Sequence, residues 1–213
     1  MKHSLMYRWL FFLGGLAVMA FGFTLVIKAD RLGISPWDVL HVGLFLNFGL
    51  TIGTWVILAG LVLIAVSSIA THSLPQVGTF LNMLFTGAMI DFYNFILPNF
   101  ETLTAQSVTL VLGIFISGLG IGIYVAPKIG AGPRDSIMLI LVEKTGLSIS
   151  IVRAGIETLA AIAGWLLGGP VGVGTIAVAL LTGRIVQYTL PMSERWLKKL
   201  IEKKSELPPV LKL

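Results

Sequence analysis

Gly33-Ile34-Ser35-Pro36-Trp37-Asp38 returns in the second half of the chain as Gly130-Ala131-Gly132-Pro133-Arg134-Asp135. Phe48-Gly49-Leu50-Thr51-Ile52 returns as Thr145-Gly146-Leu147-Ser148-Ile149 at the same spacing of 97 residues. Over 33–52 against 130–149, seven of twenty positions are identical. Further along, Gly78-Thr79 matches Gly174-Thr175 and Thr86-Gly87 matches Thr182-Gly183, both 96 residues apart. Glycine pairs recur by chance in an apolar chain, but a Gly-x-x-Pro-x-Asp and a Gly-Leu-x-Ile held in register do not. We read the chain as an internal duplication.

Outside these turns the sequence is strongly apolar. The runs 9–27, 39–90, 102–127 and 158–183 contain no Lys, Arg, Asp or Glu. A bilayer span needs roughly 20 mostly apolar residues. Turn signals at Asn47-Phe48-Gly49 and His72-Ser73-Leu74-Pro75 divide the longest run. Six spans are predicted at about 8–28, 51–71, 77–97, 105–126, 148–168 and 173–190. The runs are continuous, whereas a barrel strand alternates over ~10 residues, so the spans are helices. The fold class is therefore all-α, a polytopic membrane protein.

The short segments 36–47 and 133–144 fit a half-helix better than a span. Twelve helical residues rise only ~18 Å, well short of a ~30 Å hydrocarbon core. Each unit then crosses three times, so the two units lie inverted, as recurs in secondary transporters. The units are 1–98 and 105–190, followed by a basic amphipathic tail at 191–213.

Charge agrees with this order. With Lys2 and Arg8 inside, the connection 98–104 falls outside and holds Glu101 but no Lys or Arg. Lys128, Arg134 and the tail fall inside, as the positive-inside rule prefers. Lys28 and Arg31 fall outside, against the rule. Eight full spans in parallel repeats would put 98–104 in the cytoplasm without a positive charge, which fits worse. The first span ends in Lys28-Ala29-Asp30-Arg31 with no small-residue cleavage site, so it is read as a retained helix rather than a signal peptide. These readings imply a bacterial plasma-membrane protein with both termini cytoplasmic.

Composition excludes other classes. Fifteen Lys+Arg and ten Asp+Glu make 12% charged residues in 213, with 56% hydrophobic residues. Soluble domains carry roughly 25% charge. Disorder needs low hydrophobicity. The absence of Cys removes disulfides, thiol nucleophiles and Cys-ligated metals. The basic balance flanks apolar spans, which points to the lipid bilayer and not to nucleic acid.

Four features carry candidate chemistry. In the first turn Ser35 suits an N-cap, Pro36 the first helical position and Asp38 the third. In the second, Gly132 replaces the serine while Pro133 and Asp135 remain. Such a helix start, buried in protein, offers free backbone N–H groups to an anionic or polar ligand. Arg134 strengthens that and Trp37 takes its place in the first copy, so the two ends are chemically unequal. Plain helix-start chemistry accounts for the same residues. Second, Arg153 and Glu157 sit one helical turn apart inside a span, either as a self-neutralising pair or as a ligand or proton site. Arg184 lies midway along the last span, and Asp91 near the end of its own. His41, one turn after Asp38, suits a proton shuttle or a packed polar residue.

Third, the glycines of 118–122 and 168–174 resemble nucleotide loops in letters only. Close helix packing explains the first and a tight turn the second. Fourth, Trp196, Leu197, Leu200 and Ile201 share one face of a tail helix at 193–206, with Lys198, Lys199, Lys203 and Lys204 elsewhere. That pattern suits an anionic lipid surface or a cytoplasmic protein partner.

These elements together resemble the bacterial YczE/YyaS/YitT-type membrane proteins, closest to the YczE branch. They are Gly33-x-x-Pro36-Trp37-Asp38, Gly130-x-Gly132-Pro133-Arg134-Asp135, Val152-Arg153 with Glu157, and Gly168-Gly169-x-x-Gly172-x-Gly174-Thr175. The resemblance covers nearly the whole chain except the tail and implies a multi-pass membrane architecture more than an activity.

The expected function is a small secondary transporter or exporter of a small solute, with no cofactor, no metal and no enzymatic activity. Its substrate-binding residues are expected at Ser35, Asp38, Thr79, Arg134, Asp135, Arg153, Glu157 and Thr175, with Thr79 and Thr175 as hydrogen-bond donors. A homodimer is plausible at this length. A regulatory protein docking a cytoplasmic partner, or a substrate-binding subunit of a larger importer, are the alternatives.

Overall fold

A computed structural model describes residues 2–205, and among these the fold is eight α-helices with no strand. They are α1 (Lys2–Ile27), α2 (Pro36–Phe48), α3 (Ile52–Thr71), α4 (Val77–Ile96), α5 (Leu103–Val125), α6 (Pro133–Thr145), α7 (Ile149–Leu166) and α8 (Val173–Ser205). Five of them, α1, α3, α5, α7 and α8, are long and apolar enough to cross a membrane. The protein is a polytopic helical membrane protein. Helix α4 matches α3 in length at 20 residues. Asn82, Asp91 and Asn94 make it less apolar than the five. Helices α2 and α6 have 13 residues each, about 20 Å of rise, too short to span.

Local sequence sets the helix ends. Ser35, Thr51, Thr102 and Ser148 each accept a hydrogen bond from the backbone N–H three residues on. Both short helices begin with proline, whose fixed φ and missing N–H suit the first helical position. Both end at a glycine of positive φ, Gly49 (φ 70) and Gly146 (φ 68).

The centre of the fold is the antiparallel pair α1–α5. Gly15 meets Tyr124, Met19 meets Gly120, Gly22 meets Ser117, and Val26 meets Gly113. Gly15 and Gly113, and Gly22 and Gly120, are each 98 residues apart in sequence. Each lets the backbone of the other helix approach within a distance no Cβ would permit, as small residues do in membrane helix pairs.

Around this pair, α4 packs on α1 and α8 on α5. Helix α2 packs on α7, and α6 on α3, so each short helix rests on a long helix of the other half. The chain preceding each short helix does the same: Gly33 meets Gly172 and Thr175, while Gly130 meets Gly78 and Thr79. One correspondence fails. Helix α3 packs along α4, but α7 has no comparable contact with α8.

Two sequence expectations change. The boundary at 190/191 is not a helix end, because α8 continues through Pro191 to Ser205. Within the tail Ser193 and Leu197 are buried while Trp196 and Leu200 are exposed, so one side of that segment packs on protein. Glu206, the expected end of the tail helix, lies outside the described residues, as does 207–213. The basic residues that fall on the wrong side of the charge rule have local partners. Lys28 donates to Asn99 Oδ1 at 2.7 Å and Arg31 to the Glu101 carbonyl at 2.8 Å. Gln106 Nε2 donates to Asp30 Oδ1 at 3.2 Å. These bonds fasten the α4–α5 connection to the end of α1.

Candidate functional site

The starts of α2 and α6 converge on one cavity of about 180 Å³. That is roughly ten times the ~10–15 Å³ that a single water needs. The mid-helix residues Met19, Phe23, Gly60, Met83 and Thr86 form its apolar side and centre. Trp37, His41, Arg134, Asp135, Arg153 and Glu157 bring its charge and hydrogen-bonding capacity.

Five pairs of lining residues lie 97 apart in sequence: Trp37 and Arg134, His41 and Met138, Val56 and Arg153, Ala59 and Ile156, Gly60 and Glu157. The cavity therefore takes corresponding positions from both halves, with apolar or aromatic side chains mostly from the first and charged ones from the second. Trp37 and Arg134 face each other directly. The Arg134 guanidinium carbon stands 4.7 Å from the Trp37 ring centroid, a cation–π contact between the two helix starts. The chemical inequality of the two turns thus becomes an attraction that joins them.

The charges are arranged in both signs. Arg153 Nε donates to Glu157 Oε1 at 2.9 Å. The Arg153 side chain is 47% exposed against 19% for Glu157. The site is therefore not sealed on the α7 side. Arg134 interacts with the carboxylates of Asp38, Asp135 and Glu157. At the start of α6, three polar atoms converge on Gly132. A Cβ there would stand 3.5 Å from Asp135 Oδ2, 3.6 Å from the Tyr124 hydroxyl and 3.7 Å from Asn82 Oδ1. The Tyr124 hydroxyl thus sits beside both the Asn82 amide and the Asp135 carboxylate.

Several buried polar atoms of this wall have no protein partner: both ring nitrogens of His41, Asn82 Nδ2 and Thr86 Oγ1. Behind it, Asp38 Oδ2 is also unpaired, and Asp38 Oδ1 lies 3.5 Å from His41 Nδ1. A buried donor or acceptor without a partner costs about 1–3 kcal/mol, so the atoms on this wall need water or a ligand in the cavity to complete their hydrogen bonds.

Of the eight residues expected from sequence to bind substrate, Arg134, Asp135, Arg153 and Glu157 line the cavity together. The other four are placed elsewhere. Ser35 caps α2 through the Asp38 N–H at 3.4 Å. Asp38 sits buried behind His41. Thr175 Oγ1 accepts from the Gly172 N–H at 3.2 Å, and Thr79 is buried against the Gly130 turn. The repeated Gly-Thr elements thus hold the Gly-x-x-Pro-x-Asp turns rather than face the cavity.

Asn82, Thr86 and Tyr124 are lining residues that sequence reasoning missed. Asn82 carried a signal, since an amide inside a span is costly unless used. Tyr124, near the end of its helix, reads as an ordinary interfacial aromatic. Asp91 serves structure: its carboxylate accepts from the Gly53 N–H at 2.8 Å and from the Thr51 hydroxyl. Arg184 is exposed on α8, away from the cavity, with no hydrogen bond or ion pair among the described residues.

The comparisons with known proteins agree with this architecture. Residues 6–191 match the family of unknown function DUF6198. The chain is 44% identical to the uncharacterized membrane protein YczE of Bacillus subtilis (strain 168), covering 99% of this chain and 100% of that one. It is 29% identical to the uncharacterized protein YyaS of the same strain, over 85% of this chain and 91% of the relative. An uncharacterized protein of Haemophilus influenzae is 31% identical over 84% of this chain and 82% of its own. No solved structure matches the chain. By the extent of these matches the chain belongs to the DUF6198 family, with YczE-type membrane proteins among its relatives.

Proposed function

We propose that the protein is a small secondary transporter, an exporter or importer of a small solute carrying charges of both signs. On this reading its two units, 1–98 and 105–190, are inverted copies in the bacterial plasma membrane, with both termini cytoplasmic. The observation that carries the proposal is the composition of the central cavity: five pairs of corresponding residues, Arg134 and Arg153 for an anionic group, Asp135 and Glu157 for a cationic one. Sites at the interface of inverted repeats, lined by the starts of broken or short helices, are the usual arrangement of secondary transporters. Glu157 and Asp135 are the groups that would exchange a proton with the solute. The chain has no nucleophile–base pair at recognisable spacing, and enzymatic activity is not part of the proposal.

The test is solute flux into liposomes holding the purified protein, with and without a proton gradient. Amino acids and small zwitterionic amines form the first solute panel. Flux is expected for wild type and a loss of at least about tenfold in Glu157→Gln, since the amide cannot supply the negative charge that faces Arg153 and a cationic group of the solute. Flux that Glu157→Gln and Arg134→Gln leave unchanged refutes the site.

A second reading has one observation in its favour. Trp196 and Leu200 are exposed beside Lys198 and Lys199, which suits docking to anionic lipid or to a cytoplasmic protein. Because Ser193 and Leu197 are buried, deletion of 193–213 would damage the core. Trp196→Ser with Leu200→Ser is the cleaner test. Loss of cellular function with flux intact would favour docking.

A further inference from the structure

The two halves differ most where α3 meets α4 and α7 should meet α8. The α3–α4 seam is closed along its length. A Cβ at Gly87 would meet Gly53 O and Ile57 Cγ1 at 2.6 Å, and one at Gly60 would meet Met83 Cγ at 2.5 Å. Asp91 ties the end of that seam to the start of α3.

The corresponding positions in the second half are Gly183 for Gly87, Ala179 for Met83, Gln187 for Asp91 and Glu157 for Gly60. A Cβ at Gly183 meets nothing within 4 Å. Ala179 and Gln187 are exposed. Glu157 and Ile156 of α7 line the cavity together with Val186 of α8. The cavity therefore borders both helices of this seam. The outer faces beside it are apolar, with Leu159 and Trp165 on α7 and Ile176 and Leu180 on α8 exposed.

We propose that the α7–α8 seam is a portal from the bilayer, and that the ligand is a single-chain amphiphile with a zwitterionic head. Its acyl chain would lie along Ala179 and Gly183, and its head would reach Arg134, Arg153, Asp135 and Glu157. The proposal rests on the transporter reading of the cavity and narrows its substrate class. A water-soluble ion has no need of an opening between two lipid-facing helices. An amphiphile leaving one leaflet does, because its chain can remain in hydrocarbon while its head enters a polar site (burying each CH₂ is worth about 0.8 kcal/mol). The closed α3–α4 seam shows what the same framework looks like when shut: a methionine where α8 has Ala179, and a carboxylate clasp where it has Gln187.

The test uses the full chain in vesicles of phosphatidylethanolamine and phosphatidylglycerol. These carry a small fraction of lysophosphatidylethanolamine with a diazirine joined to its head nitrogen through an alkyl link, which keeps the ammonium charge. After illumination, adducts are mapped by peptide mass spectrometry. The head group of surrounding lipid stays at the membrane surfaces, so adducts on Met83 or Met138 report entry. We expect such adducts, competed by unlabelled lysophosphatidylethanolamine and not by phosphoethanolamine.

Gly183→Leu, which fills the seam, should lower them about tenfold, a change of ~1.4 kcal/mol in occupancy. Ala179→Met, which copies the closed seam, should lower them similarly and guards against misfolding of the first variant. Adducts confined to helix ends, or unchanged in both variants, overturn the portal. Flux of a water-soluble zwitterion without cavity adducts would leave the transporter standing and remove the portal. Adducts without any flux would keep the portal and remove the transporter.

Discussion

Gly14 and Gly15 are neighbours on α1, and the structure assigns opposite signs to the same substitution at each. A Cβ at Gly14 meets nothing within 4 Å. One at Gly15 would lie 2.7 Å from Tyr124 Cα and 2.8 Å from Tyr124 Cβ. Carbon atoms rest at about 3.5–4.0 Å, so α1 and α5 must part by about 1 Å to admit a methyl group. No rotamer relieves the clash, because the obstacle is backbone. Overpacking of this kind costs about 1–3 kcal/mol. The better helix propensity of alanine returns about 1 kcal/mol. Gly15→Ala should therefore lose about 1 kcal/mol net, and Gly14→Ala should gain up to about 1 kcal/mol.

The assay is SDS titration of the purified protein in mixed micelles, followed by far-UV circular dichroism. Gly15→Ala should unfold at a lower SDS fraction than wild type and Gly14→Ala at an equal or higher one. If Gly15→Ala matches Gly14→Ala, the α1–α5 register is wrong. The same experiment on Gly120→Ala, whose Cβ would stand 2.5 Å from Met19 Cα, should repeat the loss from the other side of the pair.

Other outcomes follow from single contacts. Asp91→Ala removes two hydrogen bonds between α4 and the start of α3, so it should cost about 3 kcal/mol in the same titration, while Asp91→Asn should cost less than half of that. Trp37→Leu removes the cation–π partner of Arg134 and Trp37→Phe retains a weaker one. Solute affinity should fall in the order wild type, Phe, Leu, with a total of about 1–2 kcal/mol, read as a shift in half-saturating concentration. Arg31→Ala frees the α4–α5 connection from the end of α1, and limited proteolysis within residues 98–102 should quicken while the helices stay intact. In a chain without native cysteine, Glu101→Cys should react with an impermeant thiol reagent added outside intact cells. Reaction only from the cytoplasmic side refutes the inverted order.

Four of the eight residues expected at the site fall together on one cavity. Arg134, Asp135, Arg153 and Glu157 stand out because charge inside an apolar chain is expensive and therefore needs a use. All four line one cavity. The same logic extends to His41 and to Asn82, whose amide is costly in an apolar run, but not to Thr86, whose polarity is too modest to stand out. Thr79 and Thr175 lie off the cavity lining, and a repeated Gly-Thr element has the same appearance whether it faces a solute or props a turn. Here it props a turn, and in each case the turn belongs to the other half of the chain. Nothing local announces such an exchange of partners.

The sequence by itself determined the membrane class, the helical character and the shortness of α2 and α6. These follow from hydropathy and length, which are properties of contiguous residues. The spacing of 97 between like motifs can also be counted there. Only the tertiary structure decided that Trp37 and Arg134 meet, that Lys28 and Arg31 secure a loop, and that α3 closes on α4 while α7 stands away from α8. Membrane helices have no hydrophobic drive to choose one neighbour over another. The choice falls to small residues, hydrogen bonds and shape, which act between segments far apart in the chain.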